Sequence, residues 1–328
     1  MPRTMLPKAL RASFQEVKEL ARGGQLGEAR QALAALPGVE KYAEYHAAMG
    51  LIAYKEQDES LSLAHMNQAL ELNQTNPTLA LRTAALRYKL DETDMAIELI
   101  EKAAKASNAR VKDIIKAAHL LHRFGLVEKA IELLKQGILK KPNDAKMRFA
   151  YARQLMNVNN KEAAEEQLIT VLRLQPVSAQ ARILLASLNL LKNDYMRAES
   201  LLSPVIENPE IKSELRSKAI IISADCLIRK SEFTAASKLL ASIDDAGSAR
   251  FNYLWGKIHN FYKNYDLAYN SFLVAQSTLN KDKSHTKPAS DMPTDQTTLQ
   301  NECERLKKQL SAQIYRFDEE SAEVGVFN

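Results

Sequence analysis

The stretch 127–146 reads VEKAIELLKQGILKKPNDAK. Its apolar positions fall three and four residues apart, the spacing of one face of a helix. The run stops at Lys-Lys-Pro-Asn-Asp, and another helical run starts at once. Further on, KEAAEEQLITVLRLQPVSAQ repeats the same pattern and breaks at Pro176. The chain has no alternating Val/Ile/Thr segments bounded by hairpin turns, so strands are not expected. The pattern predicts an all-α fold of helices of about four turns, each ended by a proline or polar corner.

A shift of about 34 residues brings small residues into register. Ala96, Ala130, Ala164 and Ala198 coincide. Four residues after each stands a large aliphatic side chain, at Ile100, Leu134, Leu168 and Leu202. Three further on come Ala103, Gly137, Val171 and Val205, and twelve before each alanine lies Ala84, Ala118, Ala152 or Ala186. Upstream, Gly50, Tyr54 and Ala69 keep the pattern, with Ser62 in an alanine place and Ala29 in the equivalent place one repeat earlier. Downstream, Ala224 and Ala236 follow a four-residue insertion near Ser213–Arg216, and Gly256, Tyr265, Ala268 and Phe272 close the series. Two helices approach to about 8 Å only where a side chain is small. The alanines therefore predict paired helices that cannot hide their apolar faces alone and must stack on neighbours. Turn signals between the helices of a pair recur at Asp58, Asp91–Asp94, Gly125, Asn159–Asn160, Asn193–Asp194 and Lys263–Asn264.

This period, with its small-residue, aromatic and proline places, resembles the tetratricopeptide repeat. The resemblance covers residues 9 to about 281 and implies about eight helix-turn-helix units in a right-handed superhelical solenoid. It divides the chain into a degenerate N-terminal repeat (1–42), a repeat array of about seven units (43–281), a polar linker (282–297), a helix (298–317) and an acidic tail (318–328). The helix 298–317 carries an apolar stripe of Leu299, Leu306, Leu310 and Ile314 with Cys303. It is expected to cap the last repeat, to dimerise the protein as a short coiled coil, or to fold into the groove.

The resemblance also implies a concave face, lined mainly by the first helix of each unit. One column of places there is apolar: Ala47, Leu81, Ile115, Phe149, Ile183, Ile221 and Tyr253. Beside it lie Leu51, Tyr54, Tyr88, His119, His122 and Met156, with Lys55, Lys89, Lys112, Arg123, Lys146, Arg153 and Arg229 interspersed. The candidate partner-binding groove is Tyr54, Lys55, Leu81, Tyr88, Lys89, Ile115, His119, His122, Arg123, Phe149, Arg153, Met156, Ile183 and Tyr253. A greasy floor with a basic rim suits a protein or peptide partner carrying apolar anchors with acidic flanks. Tyr and Arg are the residue types that anchor such interfaces. Ile115, Ile183 and Ile221 equally suit helix–helix packing. Chaperone-binding members of the family hold a terminal carboxylate with Lys and Asn. Those places carry Ala47, Leu51, Leu81, Ala85, Ile115 and His119 here, so that clamp is absent. The asparagine ladder of members attached to sugar transferases is replaced by Ala48, Arg82, Lys116 and Ala150.

Charge and composition narrow the function. Lys and Arg total 45 against 40 Asp and Glu, a balance of +5 that is too mild for a dedicated nucleic-acid binder. No run reaches the about 18 apolar residues of a membrane span, and MPRTMLPKALRASF lacks the apolar core of a secretory signal. Its acid-free, basic character would also suit an organelle transit peptide, but Ala9–Leu20 continues the helical periodicity. Two cysteines, Cys226 and Cys303, are too few for a disulfide framework and fit a reducing, cytoplasmic setting. Cys226, among Ala224, Leu227 and Ile228, reads as a buried apolar side chain.

Catalytic spacings are missing: no phosphate loop ending in GK[ST], no GxGxxG, no HExxH. His119 and His122 share a helical face without a third ligand, so neither a metal nor a cofactor is expected. The expected function is a non-catalytic interaction scaffold. Two alternatives stand. KNYDLAYNSFLVAQSTL resembles the last repeat before the catalytic domain of bacterial repeat-containing sulfotransferases, which would make the chain the repeat module of a sulfotransferase- or glycosyltransferase-type enzyme. The other is RNA binding by a helical-repeat array, with steep salt dependence as its signature.

Overall fold

The computed structural model describes residues 6–243, 248–283, 301, 304–306 and 308. Among the described residues it is all-helical, with no strand. Two compact units divide the chain, 1–154 and 155–328.

The first unit holds α1 (Lys8–Gly23), α2 (Leu26–Ala34), α3 (Ala43–Lys55), α4 (Glu59–Leu72), α5 (Pro77–Lys89), α6 (Thr93–Lys105), α7 (Val111–Arg123), α8 (Val127–Lys140) and most of α9 (Ala145–Asn157). The second holds the end of α9, then α10 (Lys161–Leu174), α11 (Ala179–Leu191), α12 (Tyr195–Glu207), α13 (Ser213–Arg229), α14 (Phe233–Leu240), α15 (Ala249–Phe261) and α16 (Tyr265–Lys283). The four inserted residues near Ser213 lengthen α13 to 17 residues, where other first helices such as α5, α7 and α11 have 13.

The turn inside each pair is set by one residue in the left-handed region. Gln57, Asp91, Gly125, Asn159 and Asn193 occupy the same place in successive repeats, with φ of 64°, 61°, 79°, 59° and 61°. The next helix then starts on a side-chain cap: Asp58 accepts from the Leu61 amide, Asn160 from Ala163 and Asp194 from Arg197. The corner between pairs is equally regular. Pro142 and Pro176 follow α8 and α10, and their carbonyls accept from Arg148 Nε at 2.7 Å and Arg182 Nε at 3.2 Å. Proline thus ends one helix, and an arginine at a repeated place in the next helix fastens the corner.

The repeated small residues are the core. Ala96, Ala130, Ala164, Ala198, Ala84, Ala118, Ala152 and Ala186 are all 0% exposed, as are Ile100, Leu134, Leu168 and Leu202. Ser62, in an alanine place, is tolerated because its hydroxyl donates to the Gly50 carbonyl at 2.8 Å. Glycine replaces alanine where the facing side chain is large. A Cβ on Gly256 would lie 2.5 Å from the Phe272 ring. In the second unit, Leu306 is buried in a cluster with Ala268, Phe272 and Ala275 of α16. α16 runs to Lys283, two residues into the expected linker; the linker beyond it, the rest of the 298–317 helix and the acidic tail fall outside the described residues.

Candidate functional site

Three first helices, α3, α5 and α7, build the main site in the first unit. Their side chains and two from α4 enclose a cavity of about 230 Å³. Its apolar wall is Leu51, Met66, Ala85 and Leu86, beside Gly50 and Ser62. Its polar rim is Tyr54, Arg82, Lys89, Lys116 and Arg123. Tyr54 is 41% exposed, large for an aromatic that nothing in the core requires.

The rim cations are not alike. Lys89 is committed: its ammonium donates to Glu59 at 2.8 Å and lies 4.8 Å from the Tyr54 ring centroid. The Glu59 and Tyr54 contacts hold the Lys89 pKa above the usual lysine value. Arg82 and Lys116 make no such bond among the described residues. Both are held below their usual pKa, Arg82 by burial and by Arg22, Lys116 by burial and by Arg82. On α1, Lys18 is likewise lowered, first by burial and then by Arg82. Like charges therefore gather on this face, and no carboxylate is hydrogen-bonded to Lys18, Arg82 or Lys116 among the described residues. Further along, burial and then Arg153 and His122 lower His119.

The structure distributes the sequence-predicted groove residues unevenly. Tyr54, Lys89 and Arg123 meet at the cavity. Leu81 is corrected: it is 0% exposed, wedged in the core of α5–α8, and no partner can touch it. Ala47 and Ile221 are buried likewise. Ile115 and Ile183 are half-buried and pack against core clusters, so they serve helix packing. Tyr88 stacks on Phe124 at 3.6 Å between centroids, which fixes α5 against the end of α7. His122 is half-buried and its Nδ1 is enclosed without a hydrogen-bond partner. Lys55 and Arg153 are exposed and Phe149 is half-buried. In the second unit, Met156 is half-buried, and Tyr253 leans on Phe272 with Lys257 over its ring. Arg82 and Lys116 lie outside the sequence-predicted groove, yet they line the cavity. The sequence does carry a signal for them, since a cation stands at the same inward place in two successive repeats.

Among the described residues no group of three His, Cys, Asp or Glu side chains could hold a metal ion, and no helix is long and apolar enough to cross a membrane.

Comparison with known proteins supports the same architecture. The tetratricopeptide repeat family model matches residues 121–188. A tetratricopeptide repeat protein from Parabacteroides merdae aligns with a TM-score of 0.57 at 15% identity, covering 81% of this chain and 98% of that one. PilF of Pseudomonas aeruginosa aligns at 0.47 and 16% identity, over 69% of this chain and 98% of that one. YrrB, a TPR protein with an unusual peptide-binding site, aligns at 0.38 and 19% identity, over 56% and 94%. At these identities the likeness speaks to fold alone, and of these three only the first exceeds 0.5. Together with the repeated small-residue core, the match over 121–188 and the first alignment show a tetratricopeptide-repeat fold.

Proposed function

We propose that this protein is a non-catalytic adaptor whose α3–α5–α7 face docks an extended or helical segment of a protein partner, with acidic residues beside apolar anchors. The fold supports an interaction scaffold in general terms; the particular face rests on the cavity. There the half-buried Leu51 and Ala85 adjoin Arg82 and Lys116, to which no acid is hydrogen-bonded among the described residues. Apolar area drives association, while the cations select acidic flanks and reject basic ones. The buried Leu306 is taken as the mark of a cap over α16, in place of a dimerising or groove-filling helix. A cytoplasmic setting suits this reading, and nucleic acid is not among the partners it requires.

The test is binding of acidic-apolar peptides by fluorescence anisotropy to the wild type, Tyr54→Ala and Arg123→Glu. Tyr54→Ala removes the exposed aromatic anchor and is expected to weaken binding about tenfold or more. Arg123→Glu is expected to abolish selectivity for acidic flanks. Equal binding by all three proteins would reject the face.

A further inference from the structure

Arg82 and Lys116 occupy one position of successive repeats, on α5 and α7. Both line the cavity. Lys18 and Arg22 of α1 lie within electrostatic reach of Arg82. The carboxylates within such reach are Glu44, felt by Lys18, and Asp113, felt by Lys116. Asp113 is already engaged, accepting from Arg110 Nε and Thr78 Oγ1 at 3.0 Å each. Of the four cations that line the cavity, Arg82, Lys89, Lys116 and Arg123, only Lys89 has a carboxylate bonded to it among the described residues, so the lining carries an excess of positive charge. Arg82 is half-buried with no carboxylate bonded to it among the described residues, and keeping such a cation partly desolvated destabilises the free protein, so the cluster implies an anion that the fold itself does not supply.

We infer that the Arg82–Lys116 pair is a phosphoryl-recognition site, and that the docked partner is a phosphorylated peptide whose apolar neighbour packs in the cavity against the half-buried Leu51 and Ala85. The inference rests on the docking reading above and deepens it. The charge match decides the anion. A carboxylate brings one negative charge, whereas a phosphoserine brings about 1.5 to 2 and three acceptor oxygens. A guanidinium fork on one helix and an ammonium on the next suit those oxygens, the fork as a two-pronged donor and the ammonium as a point charge. The enclosed apolar wall favours a peptide over a polynucleotide, whose affinity would lie in extended backbone contacts.

The experiment uses the full chain and three fluorescent peptide pools with Leu and Met flanks, carrying phosphoserine, glutamate or serine at the centre. Inorganic phosphate is the free-anion probe. The phosphoserine pool is expected to bind about tenfold more tightly than the serine pool, the effect of one or two charge-assisted hydrogen bonds. Lys116→Gln, at an exposed position that leaves the core untouched, and Arg82→Gln should each erase most of that difference, read within each variant as the ratio of phosphoserine-pool to serine-pool affinity. Inorganic phosphate should compete with the phosphoserine pool only. Equal binding of the phosphoserine and glutamate pools, both weakened by Tyr54→Ala, would overturn the phosphoryl site and keep the docking face. Phosphate-dependent thermal stabilisation lost in Lys116→Gln, with no pool bound, would keep the anion site and overturn the docking face. Preference for a single-stranded RNA, or no response to any probe, would overturn the inference outright.

Discussion

Gly256→Ala adds one methyl group at the closest helix approach in α15–α16. The added Cβ would lie 2.5, 2.6 and 2.9 Å from three carbons of the Phe272 ring. Unstrained carbon contacts lie at about 3.5–4.0 Å, so the ring or the helix must move by about 1 Å. Phe272 is 1% exposed and packs with Ala268, Ala275 and Tyr253, so the ring has nowhere to go without disturbing them. Overpacking of this kind costs about 3 kcal/mol, the upper end of the usual range. Alanine's better helix propensity offsets about 1 kcal/mol of it, leaving a net loss of about 2 kcal/mol. Stacked repeats unfold locally, so the assay is hydrogen exchange over α15 and α16 together with urea unfolding. Gly137→Ala is the matched control. Its Cβ meets Sδ of Met147, a side chain equally buried but unbranched and with more rotatable bonds than a phenyl ring, so its loss should be smaller. Combining Gly256→Ala with Phe272→Leu should cost less than the two changes separately, by about 1 kcal/mol or more. A Gly256→Ala protein that gains about 1 kcal/mol from propensity alone, with additive behaviour towards Phe272→Leu, would refute the close approach.

Three further outcomes are expected. Asp225 is buried and accepts from Arg250 at 2.8 Å and Arg229 at 3.0 Å, so Asp225→Asn removes the carboxylate that both guanidiniums share and should lower stability by about 3 kcal/mol in urea titrations. Burial, with Asp225 and Glu199 nearby, pushes the Cys226 thiol up to about 12, so in a Cys303→Ser background it should resist a thiol reagent at neutral pH until the chain unfolds. Burial lowers His65, His119 and His259 below the ordinary histidine value, aided at His65 by His46, whose Nδ1 lies 3.4 Å away. A depressed histidine favours the neutral folded state. The stability it contributes is therefore present above about pH 6.5 and lost as the pH falls towards the folded values. Urea midpoints should decline across that window, with a shallower decline in His65→Gln.

The repeat could be read from the chain because its physics is local and recurs. Each alanine at 96, 130, 164 and 198 is small for the same reason, and the regular recurrence exposes a constraint that any single position would hide. The left-handed turns were legible at Gly125 and Asn159, whose residue types favour that backbone. At Gln57 and Ser231 the same turn occurs with side chains that do not advertise it. The site was less legible. Leu81 falls in the groove by its family position, which faces inward, yet α5 is packed on several sides and the side chain is consumed by the core. The stacking of Tyr88 on Phe124 joins residues whose only link is the approach of two helices. In the sequence, Arg82 and Lys116 stand out as replacements for asparagine and as a cation repeated one period apart. Their meaning depends on the acids they lack, and that is a property of three-dimensional neighbours.

The central claim is that the α3–α5–α7 face receives a partner protein, and site-specific photo-crosslinking tests it most directly. A photoreactive residue is placed at Tyr54, at Arg123 or, as a control, at Leu139 of α8, which is 75% exposed and does not line the cavity. The expected result is a crosslink from positions 54 and 123 to one acidic-apolar segment, suppressed by a synthetic peptide of that segment and absent from position 139. Crosslinks that arise equally from position 139, or that the peptide fails to suppress, would contradict it.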